Sequence, residues 1–295
     1  MDLDLLLQLV KNGVVLGLLY GLFAYGLSLI MAATGIFHLA HGLALVATAY
    51  SFWWLFAAAG LGALVATVLS LAVGGVVGVG VELLVYRPLR RAGAGHMAQL
   101  VASLSVLTLG QSLLELGFGS DAKAVPPTAF LDWTVAVGPL VIRSWDLLVL
   151  AASVVVFVAL YVLQTRTPVG LSFRAVGDNA MRAETLGIRI QRTYLWVFLV
   201  GSVVAAMPGV LLAVQTPTRP SMGFELLVMA VIALVIGGVG SMPGALLGGI
   251  VIGLVESVAA FRLPTEWAHL VLFALLFVFL VARPHGLTRA TVRHA

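Results

Sequence analysis

The sequence predicts an all-α polytopic integral membrane protein with about eight to nine transmembrane helices, discontinuous segments at membrane depth and a cytoplasmic surface helix. Three observations carry this reading. Of 295 residues, 61% are apolar and 9% are charged, whereas a soluble domain is about half apolar and about a quarter charged. The apolar residues fall in runs close to the ~20 residues that cross a bilayer as a helix. The cationic residues gather in three connecting segments and are otherwise scattered singly. The runs fill the chain as one transmembrane domain over residues 1–295 and leave no stretch for a separate soluble catalytic domain. With no Cys, disulfides, thiolate metal sites and cysteine nucleophiles are excluded. The basic residues do not cluster on soluble structure, so the +4 charge points away from nucleic acid.

The candidate spans, in order, are 12–33, 42–59, 61–85, 97–118, 145–164, 194–214, 224–240, 244–261 and 267–282. The first follows Asp2, Asp4 and Lys11 and is long enough to span, so it reads as a membrane helix and not as a cleaved leader. Its Gly13, Gly17 and Gly21 repeat at spacing four, as do Gly74 and Gly78 in the third span and Gly240, Gly244 and Gly248 near the eighth. In lipid, close backbone approach through small residues holds helices together, and these glycines read as packing positions. The 42–59 run is the shortest of the early spans, and a half-inserted segment there reduces the count to eight. Arg87, Arg90 and Arg91 follow the third span, Arg166, Arg174, Arg182, Arg189 and Arg192 follow the fifth, and Arg283, Arg289 and Arg293 follow the last. Retention of positive charge on the cytoplasmic side places all three segments inside. Nine alternating spans then put the amino terminus outside and the carboxyl terminus inside. The segment at about 119–144, with Asp121, Lys123, Pro126, Pro127, Asp132 and Pro139, becomes the external loop.

Two apolar runs are interrupted by Gly or Pro: Thr34 to Gly42, containing His38 and His41, and Gly237 to Gly244, containing Gly238, Gly240 and Pro243. Paired interruptions point to discontinuous helices around a solute site; tight turns between spans are the other reading, and both stay open. The i, i+3 histidines are too few for a structural zinc site. They line a pathway or pack between helices. Glu82 and Glu115 lie toward the ends of their spans, while Glu256 lies about a dozen residues into its helix and must face protein or water. There it meets a substrate ammonium or makes an interhelical hydrogen bond. Neither Lys11 nor Lys123, the two lysines, ends a phosphate-binding Gly-rich loop, and no nucleophile elbow is present. Any ATP-driven step therefore belongs to another subunit.

The segment at about 165–193 is long and cytoplasmic and mixes charge with apolar residues. Ala175, Asn179, Arg182, Ala183 and Leu186 recur at helical spacing, Asp178 and Asn179 sit mid-segment, and Gly187 is placed to close a helix. Such a helix inserts into a partner's groove or rests at the headgroups as a connector.

The stretch Thr165, Arg166, Thr167, Pro168, Val169, Gly170 with Arg174, Ala175, Val176, Gly177, Asp178, Asn179, Ala183, Leu186, Gly187 and Ile188 resembles the coupling loop of permease subunits of bacterial branched-chain amino acid ABC importers. Gly35 to Gly42 is similar to that family's Gly-x-x-Asn-x-Ala-His-Gly signature, and Gly237 to Gly249 with Glu256 resembles a third signature. Tyr86 to Arg90 and Arg283, Pro284 and Gly286 are also similar to family patterns, so the likeness runs from about residue 10 to 290. Two positions depart: His38 replaces the usual Asn, and Leu43 stands where an acidic residue often follows. The loop also lacks the Glu-Ala-Ala triplet of many other importers.

The resemblance implies a LivH-type subunit in the bacterial cell inner membrane, paired with a second, LivM-like permease, two cytoplasmic ATP-binding subunits and a periplasmic solute-binding protein. It implies no cofactor on this chain, with ATP and magnesium on the partner subunits, and no enzymatic activity. His38, His41, Gly42, Gly238, Gly240 and Glu256 are the expected pathway residues; Arg174, Ala175, Gly177, Asp178, Asn179, Ala183, Leu186 and Gly187 are the expected coupling residues. The resemblance implies a branched-chain or other hydrophobic amino acid as the solute. Two alternatives stand beside this: the same architecture carrying urea, short amides or aromatic acids, and a proton-driven secondary transporter using Glu256 and the histidines as a relay.

Overall fold

The structure is a computed structural model that describes residues 3–126, 133–283 and 286–288. Asp2, Pro127, Asp132, Pro284, Arg289 and Arg293 lie outside the described residues. Twelve α-helices and one hairpin make up the described chain. They are α1 (Leu3–Thr34), α2 (His41–Trp53), α3 (Ala63–Val81), α4 (Arg87–Arg91), α5 (His96–Phe118), β1 (Thr134–Val137), β2 (Leu140–Arg143), α6 (Ser144–Arg166), α7 (Pro168–Asp178), α8 (Ala180–Thr185), α9 (Ile190–Gln215), α10 (Met222–Gly237), α11 (Met242–Arg262) and α12 (Thr265–Ala282). A π-helical turn at Trp54–Ala58 prolongs α2, and another at Glu82–Tyr86 joins α3 to α4.

Seven helices among the described residues are long and apolar enough to cross a membrane, and α10 and α12 supply two shorter apolar helices. The nine predicted spans are all present as helices. Three differences have physical causes. α1 starts nine residues early because Lys11 is neutralised by an ion pair with Asp146 of α6 and does not bound the helix. The third span runs on to Arg91 because buried Glu82 is paired with Arg90. Within the segment expected to form the external loop, Thr134 to Val137 pairs antiparallel with Leu140 to Arg143, the chain turning at Gly138 (φ +59°) beside Pro139, where only a loop is expected.

α1 is the hub. Gly13 and Gly17 face Leu254 and Ile250 of α11, where an added Cβ would come within 2.8 and 2.6 Å of their Cα atoms. Gly74, Gly75 and Gly78 of α3 leave room for the side chains of Ala206, Leu199, Val203 and Ser202 of α9. Packing by backbone approach replaces the hydrophobic driving force that lipid removes. The outward faces of α3, α6 and α12 carry Leu64, Val68, Val76, Val154, Val155, Val158, Phe277, Val278 and Val281, all exposed, which suits acyl chains and not water.

Contacts at the helix ends sort the connections into two groups. The Gln8 amide and the Val141 main chain bond each other, Lys11 meets Asp146, and Lys123 bridges Thr218. At the opposite end Gly177 packs on Ala32, Gly35 on His96, and Gly238 on Thr288. The arginines of α4 and of the α6–α9 link fall at this second end.

Candidate translocation and coupling sites

The first interruption doubles back into the bundle. α1 ends at Thr34, Gly35 turns at φ +69°, and the chain returns so that His41, the first residue of α2, lies against Gly26. Gly26 is eight residues before the end of α1, about 12 Å along its axis, so the chain runs back into the protein after exposed Gly35, with Ile36, His38 and Ala40 buried. Their polar backbone is satisfied locally: Gly35 N–H donates to the Met31 carbonyl, Ile36 N–H to Thr34 Oγ1, and Ala40 N–H to Ser103 Oγ at 2.9 Å. That provision is what non-helical backbone at membrane depth requires.

Both histidines are fully buried. His38 Nδ1 lies 2.8 Å from the Tyr86 hydroxyl, which itself donates to Ser103 Oγ at 2.7 Å. His38 also meets Phe198 edge-on, and His41 stacks on Phe23. The Nε2 of His38 has no hydrogen-bond partner among the described residues, and the His41 ring lies against the Phe23 main chain. Gly42 packs against the Gly223 carbonyl of α10, and Leu43 fills the space beside Gly110 of α5.

The second interruption is a turn closed by a distant segment. Gly238 and Gly240 take φ +101° and +81°, a region where a side chain is strained. Gly240 N–H donates to Ser28 Oγ of α1 at 2.6 Å. Leu287 and Thr288 N–H donate to the Ile236 and Gly237 carbonyls, and Thr288 Oγ1 adds a bond to Gly237 at 2.7 Å. The open carbonyls at the end of α10 are thereby capped. Glu256 is half-buried on α11, facing Tyr20 of α1 and His269 of α12. The structure brings His38, His41 and Gly42 together; it sets Gly238 and Gly240 at the α10–α11 turn and Glu256 on a different set of neighbours. A cavity of about 420 Å³ opens at the other end, lined by Trp133, Arg143, Trp145 and Thr216 among others, and shares no lining residue with either interruption.

The expected coupling segment forms two helices and not one. Thr167 caps α7 by accepting from Gly170 N–H at 3.2 Å, with Pro168 at the first helical position. Asn179 ends α7 in an extended conformation (φ −162°) and caps α8 by accepting from Arg182 N–H at 2.9 Å. Gly187, at φ +85°, closes α8. The break rotates the face expected from a continuous periodicity. Ala183 is buried with Val176 and Tyr194, and Ala175 packs on that cluster, so these two residues hold the elbow to its own bundle. Leu171, Met181 and Leu186 are 60%, 78% and 79% exposed, and Arg174, Gly177, Asp178, Asn179 and Arg182 are exposed beside them.

Comparison with known proteins follows the same outline. Residues 9–280 match the family described as branched-chain amino acid transport system / permease component. The chain belongs to this family. It is 29% identical to the high-affinity branched-chain amino acid transport system permease protein BraD of Pseudomonas aeruginosa, with 95% of each chain covered. It is 30% identical to the corresponding permease protein LivH of Escherichia coli K12, covering 95% of this chain and 94% of that one. A shorter match, 33% identity over 45% of this chain, links it to the autoinducer 2 import system permease protein LsrC of Klebsiella pneumoniae. The solved PsaBC from Streptococcus pneumoniae in complex with Fab shares the fold, with a TM-score of 0.51 at 10% identity over 92% of this chain and 90% of that one. As a permease component the chain is a multi-pass membrane transporter subunit and not an enzyme. What sequence reasoning missed are the partners of the motif residues. Tyr86, Ser103 and Tyr194 carry no signal beyond being polar or aromatic in apolar runs, and the motif from Tyr86 to Arg90 reads first as a topology marker.

Proposed function

We propose that this chain is the transmembrane permease subunit of an ATP-driven importer that moves branched-chain or other hydrophobic amino acids across a bacterial inner membrane. In this reading the chain is a single permease domain, and a periplasmic binding protein delivers the solute. The chain pairs with a second permease, and two cytoplasmic ATP-binding subunits supply the energy. The observation that carries the reading is the α7–α8 elbow. Its inner side is welded to the bundle through Val176, Ala183 and Tyr194, and its outer side offers Leu171, Met181 and Leu186 as apolar anchors among Arg174, Asp178 and Arg182. A short amphipathic helix pair with exposed anchors fits a groove on a soluble partner. Closure of the ATP-binding subunits then displaces the elbow, and the helices rock to expose the solute path to alternate sides.

The relatives named for branched-chain amino acid transport, aligned over nearly their whole length, support the substrate class. The two departures do not argue against it. His38 is occupied with Tyr86 and Leu43 with Gly110, so both substitutions are absorbed by helix packing. Gly42 joins that packing, while Gly238, Gly240 and Glu256 are proposed to flank the path at the second interruption and along α11. Reconstitution tests the assignment. Purified chain in liposomes is expected to show no uptake under a proton gradient, and uptake is expected once the partner permease, ATP-binding subunits, binding protein and ATP are present. Leu186→Asp is expected to release the ATP-binding subunits. Gradient-driven uptake by the chain alone overturns the reading. A thermal-shift series on the binding protein with amino acids, urea, short amides and aromatic acids decides the solute.

A further inference from the structure

A second set of contacts leaves the elbow and runs to the first interruption. Tyr194, near the start of α9, belongs to the same small cluster as Val176 of α7 and Ala183 of α8. Its ring lies under the Arg90 guanidinium, 4.7 Å from ring centroid to Cζ. Arg90 grips Glu82 with both prongs, Nη1 to Oε2 at 3.0 Å and Nη2 to Oε1. Glu82 is fully buried. Glu82 opens the π-helical turn Glu82–Tyr86 and Arg90 follows it by four residues, so the ion pair reaches across the turn. Tyr86, the last residue of that turn, bonds Ser103, which also holds Ala40 N–H, and shares a hydrogen bond with His38. The elbow and the 35–40 segment are thus joined by contacts from Tyr194 to Arg90 to Glu82, by the π-helical turn that links Glu82 to Tyr86, and by the bonds of Tyr86.

We propose that Tyr194, Arg90 and Glu82 are positioning residues of the transport cycle, which carry displacement of the α7–α8 elbow across the π-helical turn to the interruption at residues 35–40. The inference rests on the coupling role of the elbow proposed above. A guanidinium stacked on one ring and bidentate to one carboxylate has its orientation set on two sides, so it transmits a push where a single contact would slip. A π-helical turn is a local widening of an α-helix and is the place where such a helix changes register at least cost. An ion pair that spans the turn therefore biases it, and Tyr86 reports the change to His38 and Ala40.

The test uses the assembled complex, with both permeases, ATP-binding subunits and binding protein, in proteoliposomes. The quantities measured are solute imported per ATP hydrolysed, ATPase rate, co-purification of the ATP-binding subunits, and thermal unfolding. Tyr194→Leu and Arg90→Lys are each expected to lower solute imported per ATP about tenfold while the complex stays together, and the double variant to lose no more than either alone. Tyr194→Phe, which keeps the ring and drops only the hydroxyl, is expected to retain the parent ratio. If Tyr194→Leu does not assemble, Arg90→Lys, which keeps the charge but not the two-pronged grip, gives the same reading. An unchanged ratio in an intact Arg90→Lys complex overturns the proposal, as does full additivity of the two losses. Leu186→Asp separates the two levels. If it leaves the ATP-binding subunits attached, the elbow reading itself fails; if it releases them while Arg90→Lys transports normally, only the present inference does.

Discussion

A side chain on Gly17 has nowhere to go. Its Cβ would sit 2.6 Å from the Ile250 Cα, against main chain and not against a movable side-chain tip. Gly17→Leu is accordingly expected to part α1 from α11, at a cost of about 1–3 kcal/mol or more from overpacking. Thermal unfolding of the detergent-solubilised protein should show it as a lower midpoint; an unchanged midpoint contradicts the packing account. Such glycines are legible in sequence because spacing four on an apolar run lines one helix face, although Gly240 of the set Gly240, Gly244 and Gly248 sits instead in the α10–α11 turn. The buried polar residues are less legible. Glu82 and His38 are each made tolerable by one partner, Arg90 and Tyr86. Nothing in a one-dimensional string distinguishes a paired buried charge from one that reaches for the headgroups. His38 and His41 stand out by being costly in apolar surroundings, but the His38 neighbours Phe198 and Tyr86 come from segments whose approach is a tertiary fact.

The helices themselves are readable because the bilayer allows so few alternatives: a run that must satisfy its own backbone becomes a helix of nearly predetermined length. Shorter elements follow local chemistry that periodicity hides. From Ala175 to Leu186 the apolar spacing fits one continuous helix, yet Asn179 ends α7 and begins α8, since its side chain competes for the next turn's N–H groups. That single break turns Ala183 inward and leaves Met181 and Leu186 out. Asn179→Ala is expected to cost about 1 kcal/mol at the cap and to speed amide exchange across Ala180 to Thr185 more than in α9. Equal protection in the variant rules out the capping role. The hairpin at Thr134 to Arg143 is a similar case, where alternation over four residues is too short a signal to separate from a loop.

Taken as a complete bundle, the protein has two unlike ends. One carries the hairpin and the Lys123 bridge to Thr218; the other carries the elbow, the arginines of α4 and of the α6–α9 link, and the α10–α11 turn. Charge distribution along the chain predicts that polarity, and the end-to-end contacts agree with it. Because the chain has no Cys, single cysteines read the orientation without background. Val137→Cys is expected to react with an impermeant maleimide from outside intact cells, and Met181→Cys only after the membrane is opened; both reacting from the same side is incompatible with the arrangement. The capping of Ile236 and Gly237 by Leu287 and Thr288 has a bearing on how the protein is made. Thr288 and Gly237 are 51 positions apart, and the later residue leaves the ribosome only after α11 and α12 have been synthesised. The corner between α10 and α11 is consequently finished last, and a nascent chain cut short after α12 would present unfinished backbone at that corner to quality-control proteases.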